Sequence, residues 1–333
     1  MEQSIDVLPE SLILECLSRL HYKDVPAASL VCHKWLDLLE SRQFYSLRKQ
    51  LGHINHFACL LQSHPPSPPS SYESNPLPLY VINVFDPVSR ECKILPPLPN
   101  PAIQFDHDSE IVSSEGKLIL MNKCHDPVNR ELGNSLFVFE FSTGRWWQGK
   151  NLPTRKLHFA MAATDDCRVF IAGGHQSEDV DSDSAWMYDV RKDEWSELPR
   201  IIHVPGLSKG KVIGNQFIVK TLSMIDLTQS VETYDFELGE WKQVNVKQLW
   251  TKRYEYFARI EDGCMLICSR IDKRCRLKFY KLPLGDRSLL IYYKKGNGQL
   301  FSISIQEEGK RVKIEVPHQI YGDVYSMCCV EMH

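Results

Sequence analysis

Cysteine and histidine are the residue types best suited to bind transition metals, and the chain has 11 cysteines and 12 histidines. Cys264 and Cys268 lie four residues apart in a strand-like run, so both face the same side of a strand. No second close pair completes a zinc set, and His53, His56 and His175 stand apart from these cysteines. We therefore expect buried thiols, no metal site and no cofactor.

The patterns of common catalytic sites are also missing. The sequence has no Gly-x-x-x-x-Gly-Lys-Ser/Thr loop and no His-Glu-x-x-His motif, and we expect no serine nucleophile at a strand-to-helix elbow. A formal charge of −3, from 39 basic and 42 acidic residues, offers no general attraction to nucleic acid. With 43% hydrophobic residues the chain is typical of folded globular proteins. Enzymatic roles and general nucleic-acid binding are therefore disfavoured.

The first fifty residues carry a helical pattern. Apolar residues at positions 12, 13, 16, 17 and 20 recur at helical spacing after Pro9, Asp24 can cap a second helix, and Trp35 to Leu39 forms a third segment. Three short helices bury little apolar surface by themselves. The pattern therefore predicts a small helical domain, residues 1–50, that a partner protein or the next domain completes.

Over roughly residues 4–48 this segment resembles the F-box in the type, order and spacing of Leu8-Pro9, Leu17, Leu20, Val31-Cys32, Trp35 and Phe44. The resemblance implies that an apolar face contacts a Skp-type adaptor and, through it, a cullin, while Trp35 anchors the helices. The face would consist of Leu8, Pro9, Ile13, Leu17, Leu20 and Val31. The alternative is a helical cap in which the same leucines form only core.

Downstream, a two-part pattern repeats. Leading residues at positions 85, 139, 188, 234 and 280 are each followed by a second anchor seven residues later, and they lie 46 to 54 residues apart. Strand-like runs such as Arg168 to Ala172 precede them. A period near fifty excludes ankyrin and leucine-rich repeats and is typical of the four-stranded blades of a β-propeller.

The third unit, in which Gly173-Gly174 precedes Tyr188 and Trp195, resembles the kelch repeat. The glycines permit a tight turn with positive φ, and the aromatic anchors would pack between blades. Other units depart from the pattern, since Cys92 and Arg287 replace tryptophan. The resemblance implies a small all-α F-box followed by an all-β kelch-type propeller.

Units starting near positions 54, 105, 156, 202 and 254, with a last stretch at 288–333, predict six blades over residues 54–333. Five or seven blades are the alternatives. The Pro/Ser-rich run at 63–78 follows a strand-like segment, so we interpret it as a loop within the first blade. A flexible link between two domains is the alternative.

Two loops carry opposite charge. The loop before Tyr188 holds the acidic residues Glu178, Asp179, Asp181 and Asp183, and the equivalent loop before Tyr280 holds the basic residues Arg270, Lys273, Arg274 and Arg276. Gathered on one propeller face, as the kelch resemblance implies, they would steer a target protein. Simple solvation of exposed turns is the alternative.

An F-box followed by kelch repeats resembles a plant family. This implies a non-catalytic substrate receptor of an SCF-type (Skp-cullin-F-box) ubiquitin ligase, whose propeller binds a target for ubiquitination and proteasomal degradation. The target is unidentified, and phenylpropanoid enzymes and cytokinin-response regulators are targets within the family. A propeller enzyme, such as an oxidase or glycosidase, and a non-degradative scaffold are the alternatives. No secretory signal or run of 18 apolar residues is present, which predicts a location in cytoplasm or nucleus and no membrane contact.

Overall fold

The computed structural model describes residues 8–64, 79–99, 109–122, 134–177, 180–202, 206–222, 229–244, 277–294, 299–317, 320 and 323–332. Four short helices come first: α1 (Glu10–Leu17), α2 (Val25–Ala28), α3 (His33–Leu39) and α4 (Arg42–Gln50). We call residues 8–50 the helical unit. Its small core consists of Ile13, Leu14, Leu17, Val25, Ala28, Leu38, Leu39 and Phe44.

The fourth helix was not predicted, and it closes the helical unit. Ser41 caps α4, because its side chain accepts a hydrogen bond from the Phe44 backbone N–H at 3.1 Å. The buried Arg48 guanidinium donates to the backbone oxygens of Ser18 at 3.0 Å and His53 at 2.9 Å. One arginine therefore ties α4 to the end of α1 and to the start of the strands.

All described segments after α4 form strands and their connections, which we call the strand domain. The first half contains β1 (Asn55–His64), β2 (Leu79–Phe85), β3 (Cys92–Ile94), β4 (Glu110–Ser114), β5 (Lys117–Met121), β6 (Leu136–Glu140), β7 (Arg145–Gly149), β8 (Ala160–Ala163), β9 (Arg168–Ala172), β10 (His175–Ser177) and β11 (Val180–Asp181). The second half contains β12 (Ala185–Asp189), β13 (Glu194–Leu198), β14 (Leu207–Ile213), β15 (Gln216–Leu222), β16 (Gln229–Asp235), β17 (Glu240–Gln243), β18 (Leu277–Leu284), β19 (Arg287–Lys294), β20 (Gln299–Glu307), β21 (Lys310–Ile314) and β22 (Asp323–Met332).

These strands build five four-stranded antiparallel sheets and one small hairpin, β10-β11. In spatial order the sheets are β22-β1-β2-β3, β4-β5-β6-β7, β8-β9-β12-β13, β14-β15-β16-β17 and β18-β19-β20-β21. The first sheet pairs the last strand with the first, and Cys328 lies opposite Cys59 in its register. The strand domain is thus closed by non-local strand pairing.

Edge strands of the described sheets contact one another in the order β18, β22, β4, β8 and β14. Apolar clusters lie between neighbouring sheets. Phe57 and Leu118 join the first and second sheets, and Ile119 and Tyr188 join the second and third. Two further clusters join the third sheet to the fourth and the fifth to the first. Sequential four-stranded sheets packed face to face in this way are consistent with a β-propeller.

The aromatic repeat has a direct structural basis. Four of the five leading residues lie on the third strand of a sheet, opposite their second anchors on the fourth strand: the pairs are Phe85 with Cys92, Phe139 with Trp146, Tyr188 with Trp195, and Tyr234 with Trp241. The three indole N–H groups donate to carbonyls of the preceding unit, at Pro96, Lys150 and Pro199, over 2.7 to 2.8 Å. The predicted inter-sheet packing is confirmed, with Trp241 buried and Trp195 half-buried.

The predicted fifth repeat and last blade are wrong. Tyr280 lies on β18 opposite Ile291, and Arg287 begins β19. The matching pair of the fifth sheet is Ile305 with Val312, seven residues apart on β20 and β21. Residues 288–333 therefore do not form one blade, because β22 leaves to close the first sheet. This non-local pairing shifts the phase of the repeat in a way that local spacing does not reveal.

Candidate functional site

The helical unit exposes an apolar surface. Leu8 is 41% exposed, Leu12 47%, Leu30 70% and Val31 59%, whereas the other side of α1 is buried. These residues come from α1, from the turn before it and from the turn after α2. We call them the helical face. Water-exposed leucines and valine on one small unit are suited to burial against an apolar partner surface.

The residues predicted to contact an adaptor divide into exposed ones and core ones. Leu8, Pro9 and Val31 are exposed and Leu20 is half-buried, but Ile13 and Leu17 are each only 2% exposed. Their assignment to a contact face is corrected, because α3 and α4 cover this stripe of α1 and make it core. Trp35 packs against that core, as expected of an anchor.

Leu12 and Leu30 belong to the helical face but were absent from the predicted set. Leu12 is part of the apolar pattern of α1, and its neighbour Ile13 points inward, so exposure on this short helix depends on where α3 and α4 pack. Periodicity marks both residues as apolar without telling which side remains uncovered.

Contacts with the helical unit define one end of the strand domain. Tyr22 donates to Asp86 after β2 over 3.2 Å, Arg42 pairs with Glu115 between β4 and β5 at 3.3 Å, and Lys49 lies 3.7 Å from Asp165 between β8 and β9. All three acceptors lie in short hairpin turns. We call this the docking end.

The opposite end carries the other connections, and we call it the loop end. β1 and β2 pair with each other as far as His64 and Leu79, so the Pro/Ser-rich run joins two strands of one sheet there. The links from β5 to β6 and from β9 to β12 leave from the same end, because neighbouring strands run antiparallel.

The acidic loop lies at the loop end. Asp183 pairs with Arg200 at 3.3 Å, and Asp181 belongs to β11, opposite His175. Glu178 and Asp179 lie outside the described residues, as do all four predicted basic residues: Arg270, Lys273, Arg274 and Arg276. The predicted equivalence took Tyr280 as the counterpart of Tyr188, but Tyr280 lies on β18, the first strand of its sheet, whereas Tyr188 lies on a third strand.

Beneath the acidic loop lies a buried lysine. Lys156 donates to the Gly173 carbonyl at 2.9 Å and to Ser182 Oγ at 2.8 Å, and burial lowers the pKa of its amine to about 7. Gly174 has φ +84, and a Cβ there would lie 2.2 Å from the Leu157 carbonyl oxygen. The double glycine and Lys156 together fix the path of this loop.

The described side chains that could do chemistry do not assemble a catalytic or metal site. Among the described residues, no three His, Cys, Asp or Glu side chains gather as a metal site. Residues 206–210 do read Gly-Leu-Ser-Lys-Gly, a hydrolase-like pattern that our expectation overlooked. Ser208, however, is buried on β14 and donates to the Gly206 carbonyl at 3.2 Å, so it is not on an elbow. Cys264 and Cys268 lie outside the described residues.

Within the part of the chain that the structure describes, no helix has the length and apolar character needed to cross a membrane. The helices and sheets described above make the protein a small helical unit with an apolar face, docked on consecutive four-stranded sheets.

Family comparisons agree with this class. Residues 5–47 match the F-box domain and residues 158–200, which span the third sheet, match the kelch motif. One F-box/kelch-repeat protein of Arabidopsis thaliana is 33% identical over 80% of this chain and 77% of its own length. Another from the same plant is 30% identical over 70% and 67%. The chain belongs to the F-box/kelch-repeat family.

Among solved structures, TolB from Acinetobacter baumannii is similar over 87% of this chain and 72% of its own, with 11% identity and a TM-score of 0.49. That likeness is too distant to assign a fold or a function.

Proposed function

We propose that this protein is the substrate-recognition subunit of an SCF-type ubiquitin ligase. The helical unit binds a Skp-type adaptor and thereby a cullin, and the strand domain binds a target protein for ubiquitination and proteasomal degradation. The observation that carries this proposal is the exposed helical face on a unit that matches the F-box. Leu30 also lines a cleft beside Trp146 and Trp147 of the strand domain, whereas Leu8 and Leu12 are exposed before and on α1.

The mechanism needs no catalytic residue in this chain. A recruited conjugating enzyme carries ubiquitin as a thioester, and a lysine of the bound target attacks it. Holding both on one scaffold raises their effective concentration, which is how linked binding sites accelerate an encounter. We therefore propose a non-enzymatic receptor that uses no cofactor and acts in cytoplasm or nucleus.

The proposed architecture is an F-box at residues 1–50 and a six-bladed propeller at 54–333. Five sheets are described, and neighbouring edge strands are in contact from β18 round to β14. The interval from β17 to β18 includes residues 245–276, which lie outside the described residues and would supply the sixth blade.

We propose that the loop end binds the target. The helical unit covers part of the docking end, whereas the acidic loop and the strand ends that the Pro/Ser-rich run connects lie at the opposite end. Charges at the rim of an interface chiefly set the rate of encounter. Reversing Arg270, Lys273, Arg274 and Arg276 to Glu should slow target association and leave adaptor binding intact. If the variant and the wild type associate with the target at equal rates at each of two salt concentrations, those charges serve only solvation.

Co-precipitation from plant cells tests the whole proposal. The tagged chain should bring down adaptor and cullin, together with a protein that accumulates when the proteasome or cullin neddylation is inhibited. Phenylpropanoid enzymes and cytokinin-response regulators are the first candidates to examine. A bound protein whose amount does not respond to inhibition would favour a non-degradative scaffold. Absence of adaptor and cullin would contradict the proposal.

A further inference from the structure

α4 is a helix with two differently occupied faces. Phe44 and Arg48 point into the helical unit, where Phe44 is core and Arg48 holds backbone carbonyls. Arg42, Tyr45 and Lys49 follow at intervals of three and four residues, so they share the other face. That second face meets the strand domain.

The first contact on that face is made by Arg42. Its Nε lies 3.3 Å from Glu115 Oε1, in the turn between β4 and β5. The Glu115 side chain is only 2% exposed, and it also accepts hydrogen bonds from Arg191 and from Cys167 Sγ. Arg42 is 59% exposed and Glu115 Oε1 accepts no hydrogen bond from the described residues, so this contact is an ion pair alone. Its loss would leave Arg191 as the cation that pairs with the buried carboxylate.

The second contact centres on Glu331, near the end of β22. Tyr45 OH donates to Glu331 Oε2, and Lys49 Nζ lies 3.2 Å from the same oxygen. His56 Nε2 lies 3.6 Å from Glu331 Oε1. Interactions with His56, Tyr45 and Lys49 together lower the pKa of this carboxyl to about 2. Glu331 is therefore a charged acceptor shared between α4 and the closing strand.

These contacts spread over three neighbouring sheets. Glu331 belongs to the first sheet, Glu115 to a turn of the second, and Asp165, 3.7 Å from Lys49, to a turn of the third. The pair with Asp165 is exposed at both side chains and contributes little by itself. Attachment at separate points along one helix face nevertheless prevents the helix from pivoting about any single contact.

We propose that Arg42, Tyr45 and Lys49 are positioning residues, which fix the helical face at one orientation on the strand domain so that a target at the loop end is held at a set distance from the ligase. The functional part of this inference rests on the proposed receptor role. The structural part concerns this chain alone. We call the contacts of Arg42, Tyr45 and Lys49 with the strand domain the joint. Transfer to a target lysine depends on the placement of that lysine near the thioester, so loosening the joint changes which lysines react.

The joint is tested first on the isolated chain. In the triple variant Arg42→Gln, Tyr45→Phe, Lys49→Gln, amide exchange in α4 and in the turns at 114–117 and 164–167 should be about tenfold faster than in the wild type. The control Arg19→Gln, Lys34→Gln also removes two positive charges from the helical unit, at other positions, and should exchange as the wild type. If the triple variant does not fold, Tyr45→Phe alone, which removes one hydroxyl, replaces it. Exchange equal to that of the wild type would overturn the proposal.

The second test uses the assembled ligase, with this chain's own lysines as the acceptors. Mass spectrometry should find a narrow set of ubiquitinated lysines on the wild type and a several-fold wider distribution on the triple variant, with adaptor affinity unchanged within about twofold. The same lysine pattern in both proteins would overturn the positioning role. If the wild type does not bind the adaptor at all, the proposed receptor function is wrong. The exchange experiment then still tests whether the joint holds the helical unit on the strand domain.

Discussion

The helical unit and the strand domain solve the same problem of apolar burial differently. In the strand domain, clusters between sheets enclose residues such as Phe137, Phe170 and Phe217, each nearly or completely buried. The helical unit encloses only a small cluster and leaves Leu12 and Leu30 in water. Exposed apolar residues of the described strand domain are scattered from Val88 to Val312, whereas the helical unit exposes four of them within residues 8–31. A substitution should therefore affect stability in the first region and binding in the second.

The largest stability effect is expected for Trp241→Ala. Trp241 is buried between the third and fourth sheets and donates to the Pro199 carbonyl. Its truncation should lower the free energy of unfolding by about 3–5 kcal/mol. Trp195 makes the equivalent hydrogen bond, to the Lys150 carbonyl, but is only half-buried, so Trp195→Ala should cost less. Chemical denaturation of both variants measures the difference. A Trp241→Ala variant as stable as the wild type would contradict the inter-sheet packing.

Lys156 should make stability depend on pH. Burial lowers the pKa of its amine in the folded state to about 7, compared with about 10.4 in an unfolded chain. Between these values the unfolded state binds more protons, so stability rises with pH, by up to about 5 kcal/mol. Below pH 7 the amine is charged in both states and contributes no slope.

Lys156→Met is the comparison for that slope, since it removes the titrating amine and keeps a long side chain. Between pH 7 and pH 10, the unfolding free energy of the wild type should rise relative to that of the variant. Measuring the difference cancels the titration of tyrosines and cysteines elsewhere. Parallel pH profiles would show that the buried amine is not neutral in the folded protein.

Substitutions at two glycines form a matched pair with expected stability losses of intermediate size. Both have positive φ, +84 at Gly174 and +54 at Gly214, but a Cβ at Gly214 meets nothing within 4 Å, whereas at Gly174 it meets backbone. Gly214→Ala should cost about 1 kcal/mol from backbone conformation alone, and Gly174→Ala at least about 2 kcal/mol. Thermal unfolding at matched concentration compares them. Equal costs would mean that the backbone at Leu157 and Phe159 moves aside for the new Cβ.

The smallest stability effect is expected on the helical face. Leu12→Ala and Leu30→Ala remove side chains that are 47% and 70% exposed. Each should change the unfolding free energy by no more than about 0.5 kcal/mol. A loss comparable to that of Trp241→Ala would place these leucines in the core and remove the contrast between the two regions.

The sequence predicted most reliably what depends on neighbours along the chain. The spacing of Tyr188 and Trp195 follows from two strands joined by a short turn, so seven residues separate residues that face each other. The first helix, anchored by Ile13 and Leu17, is likewise local in origin. These features require no knowledge of distant contacts.

Long-range contacts were not predictable in the same way. Pairing of β22 with β1 joins opposite ends of the strand domain, and it moved the boundary predicted near residue 288. The exposure of Leu12 and the burial of Ile13 depend on α3 and α4, and α4 is short and mostly polar, so few apolar residues mark it in the sequence. The charge of Glu115 shows neither its burial nor its arginine partners.

Adaptor binding tests the central claim most directly. A variant with Leu8, Leu12, Leu30 and Val31 changed to Ala would be titrated against a purified Skp-type adaptor, with a control that changes the exposed strand-domain residues Ile94, Leu238 and Val312 to Ala. The wild type and the control should bind alike. The helical-face variant should remain folded and bind at least about 100-fold more weakly, because central apolar anchors carry most of such an interface. Undiminished binding by the folded helical-face variant would contradict the account.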